Sequence, residues 1–598
     1  MQAGFGRYDA FMALPSASRV YLETFGCQMN ELDSELVTGA LRTLGYQFTA
    51  DASKAGVVLY NTCSVREHAE QKVWSRLGEL AIRKQAEPGL VVGVLGCMAE
   101  REGPGLMKRM PVVDLMVGPA ELDKLPGLLD NAVRTRASLL EDEGLERGAG
   151  VGAGASLRSA GEVALQGATS RRSSTLAAAA DQLEMLDLSR AISAEDHAGS
   201  AYVRITRGCN KFCTYCVVPH TRGAEVHRPP EHIIDECKRL ADAGVVEVTL
   251  LGQTVNHYRF EHDEAEVVGG VVQPQKGRVY KKTDEHTDAY AGESVTTFAD
   301  LLRRIHDEVP GILRLRFVTS YPRSFGNDVL QVIKESPRIC RYLHVPAQSG
   351  SNRMLSMMNR GYTIEEYDEF LDRARAFLHE PEIGRPLTIA GDIIVGFPTE
   401  TEEDHEATKA LLRRARYKNC FIFKYSSRPG TTAHEKLPDD VPEDVKRRRN
   451  SELLALQNEI SAEVGAEYVG RTINAFVQGV SRREVKKAKR ETGAHTHAAK
   501  GTIALTISAG AAGASRPMGA SGAEEADGDA CGVDASHVEN DARAAQSPAG
   551  TVQMSARTDG DLIVFFDVPA AEGAALIGKI VPVAVERVTS LALFGQRV

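Results

Sequence analysis

No run in this sequence approaches the roughly 20 consecutive apolar residues that a membrane span needs, so no membrane partner is expected. Met1–Ser18 contains Asp9 and no sustained apolar stretch, and reads as neither signal peptide nor anchor. A cytoplasmic location is the expectation. Positive charge is in deficit: 71 Lys and Arg stand against 81 Asp and Glu, a formal net charge of -10. That balance excludes a globally basic nucleic-acid binder and leaves such a role to local patches. Cysteine is sparse, with 10 in 598 residues. Without a secretory signal these thiols are not expected to form a disulfide framework, which leaves cluster binding or catalysis. A single core stops growing at roughly 250–300 residues, so the length implies two or more domains.

Three of the cysteines crowd into Arg207-Gly-Cys-Asn-Lys-Phe-Cys-Thr-Tyr-Cys216, spaced Cys-x3-Cys-x2-Cys. Thiolates this close favour a soft metal, and three of them can hold three irons of a cubane 4Fe-4S cluster while the fourth iron stays open for chemistry. A predicted strand over Ala201–Thr206 places the trio just beyond a strand carboxyl end, where parallel α/β folds bind ligands. Structural zinc is the other use of such thiols, but it usually pairs Cys-x2-Cys units and wants a fourth ligand. Asn210 and Thr214 are poor ligands, and His220 would require the loop to fold back.

Upstream, strand and helix patterns alternate three times. Val20–Phe25 leads to Cys27, Val57–Thr62 to Cys63 and Val91–Leu95 to Cys97, each cysteine at a strand-to-helix junction. In a parallel sheet with right-handed crossovers those junctions share one edge, so thiols 36 and 34 residues apart can converge. Helix N-termini also favour thiolates. A second three-cysteine cluster is inferred.

The remaining pattern predicts a modular α/β chain. An N-terminal domain covers 19–135 and a disordered Ala/Gly/Ser/Arg linker 136–199, with a short helix near Ala179–Ile192. Six βα units over 200–435 suggest a partial barrel with a flexible surface insertion at 262–294. A basic connecting helix covers 436–468, and a small antiparallel β-barrel 469–598, interrupted by disorder at about 483–556 that includes Cys531. Cys237, Cys340 and Cys420 are expected to pack in the core.

With these pieces assembled, the chain resembles the radical S-adenosylmethionine (SAM) methylthiotransferases. The resemblance covers about 19–135, 200–480 and 558–598. It rests on the Cys-x3-Cys-x2-Cys loop with Tyr215 before its last cysteine, and on Thr24–Asn30, Asn61–Glu67, Leu95–Glu100, Cys216–Gly223, Leu250–Gln253, His344–Gly350, Asp392–Pro398 and Tyr425–Thr431. Ser64-Val-Arg-Glu67 is similar to the MiaB-type branch, which acts on tRNA carrying isopentenyl-adenosine beside the anticodon. The alternatives are threonylcarbamoyl-adenosine tRNA or a ribosomal-protein aspartate as acceptor, or a non-catalytic iron-sulfur RNA-binding protein. Thr254, Thr399, Val345 and Ala347 stand where the family often has Asn, Gly, Leu and Val.

The resemblance implies a fold of three parts: an N-terminal parallel α/β domain, a radical-SAM partial (β/α)6 barrel and a C-terminal TRAM barrel that binds RNA. It implies two 4Fe-4S clusters, one on Cys27, Cys63 and Cys97, the other on Cys209, Cys213 and Cys216 with SAM on its open iron. Tyr215, Gly252, Gln253, Gln348, Ser349 and Gly396 are the implied SAM contacts, and Lys446, Arg447, Arg448, Arg471, Arg482 and Lys486 the implied RNA contacts. Glu400, His344 and Asp392 are candidates to line the cavity, with structural hydrogen bonds as their alternative role. The implied reaction cleaves one SAM to a 5′-deoxyadenosyl radical that takes hydrogen from carbon 2 of the adenine, while a second SAM methylates the sulfur that is attached there. Its implied partners are tRNA, a low-potential electron donor such as flavodoxin, and sulfur or iron-sulfur assembly proteins.

Overall fold

A computed structural model describes residues 19–64, 67–147, 161–165, 181–192, 197–277, 294–491 and 550–598. Val65 and Arg66, Cys531 and the centres of the three low-complexity segments therefore lie outside the described residues. The chain divides into two compact units, the first built mainly from its N-terminal part and the second containing both barrels. No described helix is long and apolar enough to cross a membrane.

The first unit is a six-stranded parallel sheet of β1 (Arg19–Phe25), β2 (Gln47–Phe48), β3 (Val57–Thr62), β4 (Val91–Gly96), β5 (Leu115–Val117) and β6 (Glu162–Ala164), in the order β2-β1-β3-β4-β5-β6. Every residue of β3 and β4 is buried, as expected of central parallel strands covered on both faces. Between β1 and β2, helix Gln28–Thr43 buries Leu32, Leu36, Val37 and Leu41, one stripe at helical spacing. Three departures from the sequence expectation appear here. Short β5 and β6 extend the sheet, helix Leu125–Arg147 runs into the segment expected to be disordered, and Arg190 is buried with its Nε 2.7 Å from Glu35 Oε1. Brief apolar runs such as Leu115-Met-Val117 become strands only when a neighbouring strand supplies the ladder.

The second unit contains six parallel barrel strands, Ser200–Arg204, Glu247–Leu251, Arg314–Val318, Tyr342–His344, Thr388–Val395 and Asn419–Lys424. They form two halves of three, joined by the parallel bridge Leu315–Ile339. Helices Phe298–Glu308, Ile364–Leu378 and Glu402–Ala415 each begin with a reciprocal capping box, Thr297 with Asp300, Thr363 with Glu366 and Thr401 with Asp404. The insertion is more ordered than expected: Arg259–Glu261 pairs with Val295–Thr297, and Gln275–Lys276 pairs with Val226–His227.

At the C-terminus, Thr472–Val480, Thr551–Arg557, Ile563–Pro569, Leu593–Arg597 and Ile580–Val588 close into a barrel in that order. Thr551–Arg557 and helix Arg482–Glu491 lie all but one residue each inside the stretch expected to be disordered. Val552, Met554 and Ala556 do alternate in the sequence, and pairing on both sides turns that alternation into a strand. The small barrel is fastened to the large one by buried polar contacts. Arg314 donates to the Arg557 and Asn474 carbonyls, Arg316 to that of Thr558, and Lys418 Nζ lies 2.5 Å from Asp561 Oδ2. Burial raises the Asp561 carboxyl, but Arg557, Lys418 and Arg316 outweigh it and hold the group far below the usual carboxylate range.

Candidate metal centres and cofactor site

In the first unit Phe25, Thr62 and Gly96 stand in register on β1, β3 and β4. Cys27, Cys63 and Cys97 follow them by two, one and one residues, so the three thiols leave one sheet edge side by side. Cys63 and Cys97 are buried and Cys27 half-buried. Cys27 caps the N-terminus of helix Gln28–Thr43, and Cys97 opens helix Cys97–Glu102.

Two asparagines tie these turns together. Asn30 Nδ2 donates to Asn61 Oδ1 at 3.0 Å, Asn61 Nδ2 donates to the Asn30 carbonyl and to Ser34 Oγ, and Cys27 Sγ lies 3.3 Å from Asn30 Oδ1. Gly96 has φ +85 and ψ -157, a region open essentially to glycine. A Cβ there would lie 2.3 Å from Asn61 Oδ1 and 2.9 Å from the Thr62 carbonyl oxygen.

In the second unit the chain leaves the first barrel strand, makes a short antiparallel pairing of Thr206–Arg207 with Val226–His227, and turns at Gly208. Gly208 has φ +65, and a Cβ would lie 2.0 Å from the Ala224 oxygen. Cys209 N–H donates to Gly223 O and Cys216 N–H to Cys213 O, while Thr214 bonds to Met357 and Met358 carbonyls and accepts from Ala433 N–H. Asn210 accepts from Glu225 N–H at 3.0 Å and donates to Gly277 O at 3.2 Å, so the arm of the insertion braces the loop. Phe212 is exposed at φ +50, and its carbonyl accepts from Asn359.

Burial pushes the Cys209 thiol up to about 12, with Glu225 and Cys213 adding and Lys211 opposing, and raises Cys216 further. Burial brings the Lys211 ammonium, which sits 4.2 Å from the Tyr321 ring centroid, down to about 8. Glu225 carries a buried cluster with His227 at 3.4 Å, His257 at 3.8 Å and Thr254 at 3.0 Å. Burial lowers His257 to about 4, with Lys211 adding to the effect.

These donor sets suit iron-sulfur clusters. Each is three soft thiols, and metal binding would displace their protons. Among the described residues no three His, Cys, Asp or Glu converge on one point. Thiols serving separate corners of a cubane need not converge on one point.

The residues singled out for SAM fall at neighbouring strand ends. Tyr215 packs with Met354, Met358, Phe397 and Tyr425. Gly252 ends the second strand, where a Cβ would lie 2.1 Å from Thr206 Oγ1, and half-buried Gln253 follows it. Gln348 has φ +74 and exchanges backbone bonds with Asp392 and Ile394. Ser349 departs from the expectation: its buried hydroxyl accepts from Ser351 N–H and meets Thr408 Oγ1, so it braces its own loop. Gly396, at φ +69, donates its N–H to Glu400 at 2.7 Å. Glu400 also pairs with Arg449, and His344 bridges Thr319 and Asp392; these three candidates make the structural bonds that were their alternative role.

Among the cations, Lys446 is a correction. It is buried, its stem packs over Gly396, and Nζ lies 2.6 Å from Asp439 Oδ1, so its charge is used internally. Arg448 is exposed but pairs with Glu402 and Glu452. Arg447, Arg471 and Lys486 are exposed, and Arg482 is half-buried. Sequence reasoning assigned no role to Arg360, Glu225 or the Asn30–Asn61 pair. The contacts that give them a place in the site reach 147 residues from Arg360 to Cys213, 29 from Glu225 to Thr254 and 31 from Asn30 to Asn61.

Residues 19–118 match the model described as Uncharacterized protein family UPF0004, and residues 203–412 match the Radical SAM superfamily. The tRNA-2-methylthio-N(6)-dimethylallyladenosine synthase of Rhodopirellula baltica is 39% identical over 467 residues, covering 78% of this chain and 85% of the relative. The enzyme of the same name from Phocaeicola vulgatus is 39% identical over 469 residues, covering 78% and 86%. A solved radical SAM methyltransferase, TsrM from Kitasatospora setae, aligns at 14% identity with a TM-score of 0.41, covering 70% of this chain and 75% of that one. By its 39% identity to these two synthases over 78% of its length and 85% and 86% of theirs, this chain belongs to the tRNA-2-methylthio-N(6)-dimethylallyladenosine synthase family.

Proposed function

We propose that this protein is a methylthiotransferase that places a methylthio group on carbon 2 of N6-dimethylallyladenosine, the isopentenyl-adenosine beside the anticodon of tRNA, using SAM and two 4Fe-4S clusters. The observation that carries the assignment of residues is the pair of three-thiol sets at strand carboxyl ends, Cys27, Cys63 and Cys97 on one sheet edge and Cys209, Cys213 and Cys216 on one loop. When bound, the clusters supply an electron for SAM cleavage at the loop and the sulfur to be transferred at the sheet edge.

The chain's own residues orient and shield. Asn30 and Asn61 fix the turns that carry the first trio. Asn210, Thr214 and the Gly208 turn fix the second. Tyr215, in its apolar cluster, is assigned to the SAM adenine, with Gln253 and the Gln348 backbone at the other strand ends for the rest of the molecule, while Gly252 and Gly396 let Thr206 and Lys446 pack close.

The closed C-terminal barrel is assigned as the TRAM module, with Arg471, Arg482, Lys486 and Arg447 as phosphate contacts. A single-stranded anticodon loop can present its base splayed out, which a duplex resists. The electron donor is a low-potential protein such as flavodoxin, sulfur comes through iron-sulfur assembly proteins, and the setting is the cytoplasm.

The test is anaerobic. Protein reconstituted with iron and sulfide is given dithionite, SAM and either dimethylallylated or unmodified tRNA, and 5′-deoxyadenosine and methylthiolated nucleoside are measured by mass spectrometry. Methylthiolated product from the dimethylallylated tRNA alone is expected. SAM cleavage without that product would discard the substrate, and a fully loaded protein that cleaves no SAM would overturn the enzyme.

A further inference from the structure

Several buried arginines elsewhere among the described residues face carboxylates. Arg228 is held by Glu184 and Glu236, Arg449 by Glu400 and Glu402, Arg316 by Glu247 and Arg190 by Glu35. Arg360 is different. It is 7% exposed, and its Nη1 points at Cys213 Sγ, 3.4 Å away. Nη2 donates to the Pro346 carbonyl at 3.0 Å and Nε to Tyr362 Oη at 3.0 Å, while that hydroxyl is itself fixed by the Pro346 and Ala347 carbonyls. The rings of Tyr321 and Tyr362 lie 5.0 and 5.1 Å from the guanidinium carbon. Phenols and the Cys213 thiol surround its charge, with the Lys211 ammonium as a second cation over the Tyr321 ring.

A guanidinium cannot shed its proton in a protein, so this is a permanent cation in a site of low dielectric. Its fork is locked by two other bonds and two aromatic faces, so the donor aimed at Cys213 is pre-organised. A buried cation without a carboxylate partner is costly unless an anion arrives to meet it. Three thiolates and the cluster they hold would be that anion.

We propose that Arg360 is a positioning residue for the loop cluster: it donates to the Cys213 thiolate and raises the cluster's reduction potential. Hydrogen bonds to cluster sulfurs and nearby positive charge stabilise the reduced, more negative state. The inference rests on reading Cys209, Cys213 and Cys216 as cluster ligands.

The experiment uses the full chain with Cys27, Cys63 and Cys97 replaced by Ala, so that the loop cluster is observed alone. Iron and sulfide are quantified, and the reduced cluster is titrated by electron paramagnetic resonance with viologen mediators for Arg360, Arg360→Gln and Arg360→Lys. Arg360→Gln should load iron fully and be about tenfold harder to reduce, a shift of about 59 mV to lower potential for one electron. Arg360→Lys, which keeps the charge and loses the directed bond, should move about threefold. A merely structural role would lower stability and leave the potential where it was. Full loading of Arg360→Gln with an unshifted potential overturns the proposal. Where Arg360→Gln fails to hold iron, Arg360→Lys decides: a shift to lower potential supports it and an unshifted potential overturns it. A background protein that binds no iron at the loop would instead sink the reading of the three cysteines.

Discussion

In the N-terminal unit three thiols come from three strands, 36 and 34 residues apart, whereas in the barrel they fall within eight consecutive residues of one loop. The first arrangement depends on register. Phe25, Thr62 and Gly96 must align, and a slip of one residue on any strand would turn its cysteine to the other face. The second arrangement is local and costs little loop entropy, yet long-range bonds from Met357, Met358, Ala433 and Gly277 hold it. One trio is positioned by a sheet, the other by a turn and its braces. They should therefore fail in different ways.

The largest expected effect separates them by product. Cys209→Ala should abolish 5′-deoxyadenosine formation, whereas Cys97→Ala should keep SAM cleavage and lose methylthiolation, each variant retaining about half of the wild-type iron. Equal loss of both products in the two variants would erase the distinction.

Gly96→Ala comes next. It forces a side chain into a glycine-only conformation and against Asn61, which should cost about 1–3 kcal/mol and empty the N-terminal site while the loop cluster's electron paramagnetic resonance signal survives. Gly208→Ala should do the reverse, since its Cβ would collide with the Ala224 carbonyl. Iron analysis of the two variants would reveal a loss at the wrong site.

Asn61→Ala tests the tie between strands. It leaves Asn30 Nδ2 and Ser34 Oγ without their buried partner, at about 1–3 kcal/mol, and should slow cluster loading in the first unit without altering SAM cleavage. Loading at the wild-type rate would remove the pair from the account of that site.

The smallest effect concerns the loop at the fourth barrel strand. Burial raises the Asp404 carboxyl, but bonds from Arg353, Ser351 and Thr401 outweigh it and bring it to about 2, below its ordinary value of about 3.8. The unfolded chain takes up the proton first as pH falls. The contribution, on the order of 2 kcal/mol, is thus full above about pH 4 and lost as pH falls through 2. Thermal unfolding of iron-free Asp404→Asn should show a lowered midpoint at pH 7 and a weaker decline between pH 4 and 2. An unchanged slope would mean that Asp404 does not carry this dependence.

Much of the frame was legible in the chain. Val57–Thr62 is a strand at the expected bounds, and the six βα units expected over 200–435 contain strand Thr388–Val395 and helices Ile364–Leu378 and Glu402–Ala415, because burial on both faces and Thr-x-x-acid caps are local signals. The short strands Leu115–Val117, Glu162–Ala164 and Leu593–Arg597 were not, since three to five residues acquire strand character only from a partner. Lys446 shows the same limit for charge: four consecutive basic residues look like one surface, but helical geometry turns Lys446 and Arg449 inward and leaves Arg447 and Arg448 exposed.

By itself, then, the sequence determined the two three-cysteine sets, their positions after strands and the order of the domains, because periodicity and spacing are properties of neighbouring residues. Only the tertiary structure decided that Asn30 meets Asn61, that Ser349 and Lys446 are spent on packing, and that Arg360 reaches Cys213 from 147 residues away. Those contacts depend on strand register and loop closure, and no local propensity encodes a partner that distant in the chain.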